Sequence, residues 1–281
     1  MKQPEHYRFI RALRPFSLVV ALVSSALGVL LAWQDGFQNP WHALWVFVGA
    51  ILAQAGVNLV NDVEDLPLLG KGALDSRRQI VFNARIAMLF FVLAFLIGLY
   101  FYTVQGWEVL ALVVIVALLA LSYNLGPIHF KNRGLALIQV FLLMGVCLVE
   151  GAYLAMSGQF SVEAFYLSLP ISVLVSLLLL SNELRDWEND SVHGAGTLTV
   201  RIGYTNATRL YAALTALAYC LAIGVLGAEQ LSLAWLLLIP APLLLPIAGY
   251  LRAPRRPQLT PMTGRFFFLF GLAWLAIHWR A

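Results

Sequence analysis

The chain has 281 residues, of which 61% are hydrophobic and only 11% charged, and its formal net charge is +4. A soluble domain carries about 25% charged residues, so these charges are too few to cover a water-soluble globule of this size. The 17 Phe, 10 Tyr and 8 Trp exclude a low-complexity disordered chain. Composition therefore predicts an integral membrane protein. Its two cysteines, Cys147 and Cys220, are too few for a disulfide framework or a metal site, and we expect both to be small buried hydrophobic residues.

Nine apolar stretches follow one another along the chain, each close to the roughly 20 residues that a membrane-spanning helix needs. They cover residues 15–33, 41–60, 84–103, 107–124, 135–156, 165–182, 209–227, 232–250 and 264–279. None of them alternates apolar and polar residues as a transmembrane β-strand would. We predict an all-α polytopic membrane protein with nine transmembrane helices, formed by residues 1–281 as a single domain.

The Lys and Arg residues give the orientation of these helices. With the N-terminus inside, the inner segments hold 17 of the 18 Lys and Arg residues and the outer loops hold none, the eighteenth being Arg280 at the C-terminus. Such enrichment is typical of cytoplasmic loops, and seven of the eight tryptophans lie near outer helix ends, as in an aromatic belt. We therefore predict an N-in, C-out topology. The positive net charge follows from membrane orientation, so we expect no nucleic-acid partner.

Two polar clusters lie where the second and the sixth predicted helix reach the inner side. The first cluster comprises Asn58, Asn61, Asp62 and Asp65, and the second comprises Asn182, Asp186 and Asp190. Within each cluster the spacing of three and four residues places the side chains on one helical face. Both clusters share the pattern Asn-x-x-x-Asp-x-Glu, which favours a degenerate four-helix repeat over residues 1–133 and 134–250.

The clusters predict a magnesium site that takes a phosphate group. Unpaired carboxylates near the membrane boundary repel one another, so a compensating cation is expected. Hard oxygen ligands suit Mg²⁺, which completes its coordination with water and phosphate oxygens. Basic residues that suit a phosphate follow the clusters: Lys71, Arg77, Arg78, Lys131, Arg133 and Arg201. The alternative is a solvated surface paired with neighbouring Lys and Arg, which is what we expect for Glu64, Glu183 and Glu188.

Four further residues have two interpretations each. Glu150 lies within the fifth predicted helix, where a carboxylate is either functional or protonated and hydrogen-bonded to a neighbouring helix. Tyr123 and Tyr153 would contact an aromatic substrate or anchor helix ends at the interface. Arg14 would reach lipid headgroups or close the phosphate site.

These motifs resemble the UbiA superfamily of intramembrane prenyltransferases. The family carries Asn-Asp-x-x-Asp after its second helix and Asp-x-x-x-Asp after its sixth, which match residues 61–65 and 186–190 here. Arg14-Pro15-Phe16 and the segment 123–127 extend the resemblance. Residues 182–203 and 151–153 look most like the branch that prenylates 1,4-dihydroxy-2-naphthoate in menaquinone synthesis.

The resemblance implies an enzyme with Mg²⁺ as cofactor and a prenyl diphosphate as donor. In that case Asp62, Asp65, Asp186 and Asp190 are catalytic and bind the metal with Asn58, Asn61 and Asn182. The implied diphosphate-binding residues are Lys71, Arg77, Lys131, Arg133 and Arg201, and the implied substrate-binding residues are Arg14, Tyr123 and Tyr153. As the allylic C–O bond breaks, an electron-rich aromatic ring attacks, and the prenyl tail lies in a central apolar cleft between the helices.

Three other functions stay open. A superfamily relative would use the same donor with another acceptor or cyclise the prenyl group. A non-catalytic protein would only bind prenyl lipids, and a transporter would carry ionisable residues across the bilayer, whereas the acids here, Glu150 apart, concentrate on one side. The charged N-terminus favours retention of the first helix and lacks transit-peptide character, so we expect a bacterial inner membrane location with the site on the cytoplasmic side.

Overall fold

The structure, a computed structural model, describes residues 4–70, 72–123, 129–254 and 256–279. Within these ranges the chain is helical and contains no β-strand, which confirms the predicted all-α class. The helices numbered here are α1 Pro15–Gln34, α2 Pro40–Asn61, α3 Leu74–Gln105, α4 Trp107–Leu121, α5 Ala136–Ser157, α6 Val162–Val192, α7 Tyr204–Gly224, α8 Ala234–Arg252 and α9 Leu259–His278. Shorter helical segments are Pro4–Tyr7, Phe9–Ala12, Asp62–Leu68, Lys131–Arg133, Leu198–Ile202 and Ala228–Leu231.

Each predicted apolar stretch coincides with one of these helices, but they differ in length. Among the described residues, eight helices are long and apolar enough to cross a membrane. The remaining one, α4, has 15 residues and is about 22 Å long, against a hydrocarbon core of about 30 Å. In contrast, α3 and α6 have 32 and 31 residues, or about 48 and 46 Å. These two helices therefore extend beyond the core.

Local sequence signals fix several helix starts. Proline stands at the first position of both α1 and α2, where its missing N–H needs no partner. Before α2 the side chain of Asn39 accepts the N–H groups of Trp41 and His42, and before α6 the hydroxyl of Ser161 accepts the N–H of Ala164. Such caps satisfy backbone donors that would otherwise lack partners at a helix start.

The core is centred on α6, which packs against α5, α7 and α9 and is buried over most of its length. The hydroxyl groups of Ser172 and Ser176 donate hydrogen bonds to backbone carbonyls of the same helix, those of Ser168 and Ser172 one turn earlier. The indole N–H of Trp274 on α9 donates to the carbonyl of Leu167. By contrast, α3 and α8 expose most of their apolar surface, as lipid-facing helices do.

This packing bears on the predictions for the two cysteines and for Glu150. Cys147 is part-buried, but Cys220 on α7 is exposed, so the prediction that both are buried is wrong for Cys220. Apolar periodicity alone does not show which face of a helix contacts lipid. Glu150 is buried, and one of its carboxylate oxygens accepts the backbone N–H of Ser161 at the start of α6, 3.2 Å away. This contact fits the structural alternative, but the other carboxylate oxygen of Glu150 is buried with no hydrogen-bond partner among the described residues, so both interpretations stay open.

Gly28 lets α1 and α5 approach closely. A Cβ at this position would overlap the carbonyl oxygen of Val149 and lie 2.8 Å from the Cβ of Ala152. We expect Gly28→Ala to destabilise the protein by about 2 kcal/mol, the usual size of an overpacking penalty. Gly249→Ala is the control, because no atom lies within 4 Å of the position that its Cβ would take. Thermal unfolding in detergent measures both, and equal midpoints would show that the α1–α5 contact is looser than described.

Candidate active site

The first carboxylate of the site, Asp62, is almost completely buried. It is 1% exposed and follows the last residue of α2, in the helical turn Asp62–Leu68. Its Oδ1 accepts a hydrogen bond from Nη2 of Arg14 at 2.9 Å, and Nε2 of His6 lies 3.8 Å from the same oxygen. Its Oδ2 is buried and has no hydrogen-bond partner among the described residues. A buried oxygen of this kind calls for a further ligand.

Arg14 is held in a strained backbone conformation. Its φ of 48° is left-handed, which costs a non-glycine residue about 1–3 kcal/mol. Pro15 disfavours the ordinary helical conformation at the residue before it. The hydroxyl of Ser17 donates to the Arg14 carbonyl, and the guanidinium is fixed on Asp62. These contacts favour the prediction that Arg14 closes the phosphate site. They do not favour the alternative that it reaches lipid headgroups.

Asn58 fastens the start of α1 to α2. Its Nδ2 donates to the carbonyl of Leu13 at 2.7 Å and to the hydroxyl of Ser17 at 2.6 Å, while its Oδ1 accepts from Nε2 of Gln54. Both ends of the amide are therefore in use. These contacts hold Asn58 beside Arg14 and Asp62, and its role as a metal ligand stays a prediction.

The N-terminal segment also covers Asp65. The hydroxyl of Tyr7 donates to Oδ2 of Asp65 at 3.3 Å, and the Tyr7 carbonyl accepts from the side chain of Asn83 on α3. Burial, followed by the charge of Asp65, raises the pKa of Tyr7 to about 12, so the phenol stays protonated and keeps donating at neutral pH. Tyr7 and His6 were missed by the sequence analysis, because 58 residues separate Tyr7 from Asp65 and no local pattern joins them.

The second cluster lies on the C-terminal end of α6 and is more open. Asp186 is 46% exposed and accepts two hydrogen bonds from the adjacent Arg185, at 2.8 and 2.6 Å. Asn182 lies one turn before it and Asp190 one turn after it, and both are partly buried. The predicted alignment on one helical face is thus present, because α6 continues as far as Val192.

A buried arginine clamps this end of α6. Arg256 donates to both carboxylate oxygens of Glu188 at 2.9 and 2.6 Å and to the carbonyl of Leu184 at 3.1 Å. Its guanidinium carbon also lies 4.2 Å from the ring centroid of Tyr204 on α7. Such a stacked, bidentate arrangement suits arginine specifically. Arg256 was missed because 68 residues separate it from Glu188.

The three glutamates expected to be solvated have partners. Glu183 is buried and accepts the backbone N–H of Thr199 at 3.0 Å, so the expectation is wrong for this residue. Glu188 is half-exposed but paired with Arg256. Glu64 forms an ion pair with Lys131, with 2.7 Å between Nζ and Oε2. This last pair joins the turn after α2 to the loop before α5.

The loop before α5 links the turn after α2 to the segment after α6. Lys131 of this loop pairs with Glu64 in the turn after α2, and its backbone N–H donates to the carbonyl of Tyr123 at 3.3 Å. The carbonyl of Asn132 accepts from Arg201, in the segment after α6, at 2.8 Å. Burial is the largest cause that raises the pKa of Tyr123, so its phenol is a neutral hydroxyl at neutral pH.

Comparison with known proteins identifies the family of this chain. The profile of the UbiA prenyltransferase family matches residues 21–272. The chain belongs to this family. It is 29% identical to the 1,4-dihydroxy-2-naphthoate octaprenyltransferase of Escherichia coli (strain K12), over 92% of this chain and 89% of the relative. It is 26% identical to the UbiA prenyltransferase domain-containing protein 1 of Dictyostelium discoideum, over 93% and 84%.

Solved structures confirm the fold. The structure of a UbiA homolog from Archaeoglobus fulgidus bound to GPP and Mg²⁺ superposes with a TM-score of 0.65 at 18% identity, covering 95% of this chain and 99% of that one. The family profile confirms the predicted resemblance to the UbiA family. At this identity the superposition establishes the helical architecture and leaves the role of each residue to the geometry of the site.

The residues of this UbiA-family site fit a metal that also binds a ligand. Within the described part of the chain, no three His, Cys, Asp or Glu side chains are grouped closely enough to hold a metal ion by themselves. Mg²⁺ commonly uses one or two carboxylates and takes its other ligands from water and phosphate. The unpartnered oxygen of Asp62 provides one such ligand. The donor set therefore fits Mg²⁺ bound together with a phosphate group.

The predicted diphosphate-binding residues have different surroundings. Arg77 donates to the carbonyl of Leu69, and Arg133 is exposed on its loop. Lys131 is paired with Glu64 beside the site. Lys71 lies outside the described residues. Among the predicted diphosphate-binding residues that the structure describes, only Lys131 is seen beside Tyr123. The charge of Lys131 also acts on Glu183.

Tyr153 is not brought to the carboxylates. Its hydroxyl donates to Asp35 at 2.7 Å, and Asp35 caps the end of α1 that is opposite to Arg14. The 20 residues of α1 separate the two ends by about 30 Å. Tyr153 therefore lies at the other side of the bundle, although it was predicted to contact substrate.

Arg201 joins the loop after α6 to the loop before α5, at a point where Gly196 lies against Asn132. It donates to the carbonyls of Gly196 at 2.9 Å and Asn132 at 2.8 Å, and a Cβ at Gly196 would overlap the carbonyl oxygen of Asn132. We expect Gly196→Ala to separate the loops and to speed tryptic cleavage at Arg201 about fivefold, which corresponds to about 1 kcal/mol of local stability. Gly72→Ala, on another inner loop with no atom within 4 Å, is the control. Unchanged cleavage at Arg201 would contradict this contact.

Proposed function

We propose that this chain catalyses the Mg²⁺-dependent transfer of a polyprenyl group from a prenyl diphosphate to an aromatic acceptor. The acceptor is a quinone precursor such as 1,4-dihydroxy-2-naphthoate. The main support is the buried oxygen of Asp62 that has no partner among the described residues, beside Arg14 and near a loop that links the turn after α2 to the segment after α6. The UbiA family to which the chain belongs is a prenyltransferase family.

In this proposal the two clusters share the binding of Mg²⁺ and diphosphate. Asp62 and Asp65, with Asn61, act from the end of α2, and Asp186 and Asp190, with Asn182, act from the end of α6. When bound, Mg²⁺ neutralises the charge that grows on the leaving diphosphate. Asn58 positions the start of α1 through its Nδ2, and its Oδ1, which accepts one hydrogen bond from Gln54, keeps a lone pair for the metal.

The basic residues contribute to donor binding in different ways. Arg14 and Lys131 already contact site carboxylates, so each needs only a small rearrangement to donate to a phosphate oxygen. Guanidinium and ammonium groups both serve as phosphate ligands. Arg133 adds charge from the same loop as Lys131. Arg77 and Arg201 act indirectly, since their guanidinium groups hold the carbonyls of Leu69, Gly196 and Asn132.

The chemistry then follows from this binding. The allylic C–O bond of the donor breaks and its electron pair leaves with the diphosphate. A carbon of the aromatic ring forms the new C–C bond, and the ring loses a proton to regain aromaticity. In this proposal Tyr123 contacts the acceptor, and its phenol does so as a neutral hydroxyl. The apolar surface between the helices accommodates the prenyl tail.

The naphthoate acceptor is supported by the Escherichia coli relative and by the resemblance of residues 182–203 and 151–153 to that branch. The relative from Dictyostelium discoideum is matched over a similar length and similar identity, so another acceptor is the second candidate. Cyclisation of the prenyl group and binding without turnover are further outcomes that a product assay separates.

We also propose that all nine helices span the membrane, with the N-terminus and the site on the cytoplasmic side and the C-terminus outside. The distribution of Lys and Arg supports this topology. For α4, which is short, local thinning of the bilayer makes up the difference in length. A bacterial inner membrane is the proposed location. A topology reporter fused after His278 should be active outside the cell membrane, and cytoplasmic activity would contradict nine spans.

The test uses the purified protein in vesicles with Mg²⁺, prenyl diphosphates of several lengths and a panel of aromatic acceptors. We expect a prenylated naphthoate by mass spectrometry together with one released diphosphate per product. Diphosphate release without acceptor, with a cyclic hydrocarbon product, would indicate the cyclase. Donor binding without any release would indicate a binding protein, and no release with any donor would contradict the enzyme.

A further inference from the structure

A basic groove lies on the first third of α3. It has a volume of about 390 Å³ and is lined by Arg77, Arg78, Val81, Phe82 and Arg85. These residues are spaced by three, four, seven and eight, so they form one stripe along the helix. Three arginine side chains therefore border an apolar floor, and the proposed donor site involves only one of them, Arg77, through its bond to the Leu69 carbonyl.

The groove faces lipid. On the other side of the same turns, Ile80 and Asn83 are buried, and the side chain of Asn83 donates to the carbonyl of Tyr7. On the groove side, Phe82 is 52% exposed, and Arg78 and Arg85 are also exposed. The same stripe continues along α3 with exposed apolar residues: Met88, Leu89, Val92, Phe95 and Leu96. The groove is thus the charged end of a lipid-facing surface.

The arginines sit at a depth that suits a headgroup. Arg78 and Arg85 are two turns apart, or about 10 Å along the helix, which is comparable to the thickness of a headgroup layer. Arg85 lies nearer the membrane centre, and its long side chain can extend toward the boundary while its methylene groups stay on apolar surface. Arg77 donates to the Leu69 carbonyl through Nη2, and its Nε is buried without a hydrogen-bond partner among the described residues. Arg77 therefore holds the end of the groove that is nearest to Leu69.

The positive charge of the groove favours an anionic ligand. The segment from Leu74 to Arg85 carries three Arg and one Asp, Asp75, and its net charge is positive. Guanidinium groups bind phosphate with paired, charge-assisted hydrogen bonds, and basic pockets on the cytoplasmic side of membrane proteins bind anionic lipid headgroups. A zwitterionic headgroup would place its own cation among the arginines. An anionic phospholipid fits both the charge and the apolar stripe below.

We propose that this groove binds one anionic phospholipid of the inner leaflet, with its phosphodiester on Arg78 and Arg85 and one acyl chain on the exposed face of α3. The site is separate from the proposed donor site, and its occupation does not depend on prenyl transfer. Because α3 also carries Asn83, which holds Tyr7, the lipid stabilises the helix that supports the N-terminal segment.

The test is native mass spectrometry of the detergent-purified protein titrated with dioleoyl phosphatidylglycerol or dioleoyl phosphatidylcholine. The wild type should bind one phosphatidylglycerol about thirtyfold more tightly than R78Q/R85Q, since each basic residue near a membrane surface contributes about fivefold. The control R209Q/R265Q removes two exposed arginines near the starts of α7 and α9 and should bind like the wild type. Phosphatidylcholine should bind weakly and equally to all three proteins.

Several results would overturn the proposal. Equal loss of phosphatidylglycerol binding in R78Q/R85Q and R209Q/R265Q would mean a general charge effect. Equal affinity for the two lipids would remove the selectivity. Displacement of phosphatidylglycerol from the wild type by geranyl diphosphate would assign the groove to the donor. If R78Q/R85Q proves unstable, R78K/R85K keeps the charge and should retain selective binding, and its failure to do so would also count against the groove.

Discussion

Replacing Asp62 by asparagine is expected to lower the rate of prenyl transfer about a thousandfold, the size of effect seen when a charge-stabilising group is removed from a buried site. The reason is the oxygen of Asp62 that has no partner within the described protein. Asparagine offers only one oxygen, and Arg14 already occupies that position. The substitution therefore removes the ligand charge and leaves the volume unchanged. The measurement is the rate of product formation in vesicles at saturating donor, acceptor and Mg²⁺.

The control for this prediction, Asp35, lies at the end of α1 that is opposite to Arg14. Asp35→Asn makes the same chemical change, and asparagine can still accept the hydrogen bond from Tyr153. We expect it to keep its activity within a factor of about two. Both variants should unfold near the wild-type temperature. Comparable rates for Asp62→Asn and the wild type would show that Asp62 serves only to hold Arg14.

Replacing Asp186 by asparagine is expected to reduce turnover about a hundredfold or more. Asp186 is half-exposed and its carboxylate faces the guanidinium of Arg185, so its removal should leave the fold intact. The loss would show that the α6 cluster is needed in addition to the α2 cluster. The measurement is again the rate at saturating substrates, combined with the Mg²⁺ concentration that gives half the maximal rate. That concentration should rise in Asp186→Asn.

Glu188→Gln provides a matched control two residues away on the same helix. Glu188 contacts Arg256, and glutamine can keep part of that bonding. We expect a loss of less than about tenfold, since the substitution weakens one hydrogen bond while Arg256 keeps its bond to the Leu184 carbonyl and its stacking on Tyr204. If Glu188→Gln were as inactive as Asp186→Asn, the effect of both would come from the position of α6. In that case Asp186 would not be a ligand.

The helices of this protein could be predicted from the sequence because a membrane imposes a simple rule. Each spanning segment must be apolar and about 20 residues long. The stretch 15–33 corresponds to α1, Pro15–Gln34, and 41–60 corresponds to α2, Pro40–Asn61. The rule does not report polar extensions beyond the membrane, so the start of α3 was predicted at residue 84 but lies at Leu74.

The candidate site could be predicted in part. Helical spacing placed Asp186 and Asp190 on one face because that relation is local to a single helix. Contacts between distant segments leave no such pattern. Arg256 on Glu188 and Tyr7 on Asp65 appear only once the chain is folded. Burial is also set by tertiary packing, which explains why Glu183 was expected to be solvated.

Residue type alone was a poor guide to which basic and aromatic side chains face the donor. Arg201 was predicted to bind diphosphate but donates to two backbone carbonyls. Tyr153 was predicted to contact substrate but lies beside Asp35 at the far end of α1. Arginine and tyrosine serve equally well as structural hydrogen-bond donors, so their roles depend on the position that the fold gives them.

The most direct test of the central claim is the release of inorganic diphosphate from a prenyl diphosphate by the wild-type protein, with and without Mg²⁺. In the presence of an aromatic acceptor we expect release that requires Mg²⁺, stops when EDTA is added and resumes when excess Mg²⁺ is restored. Release at the same rate in EDTA would contradict the claim that the two carboxylate clusters act by holding Mg²⁺ on the diphosphate.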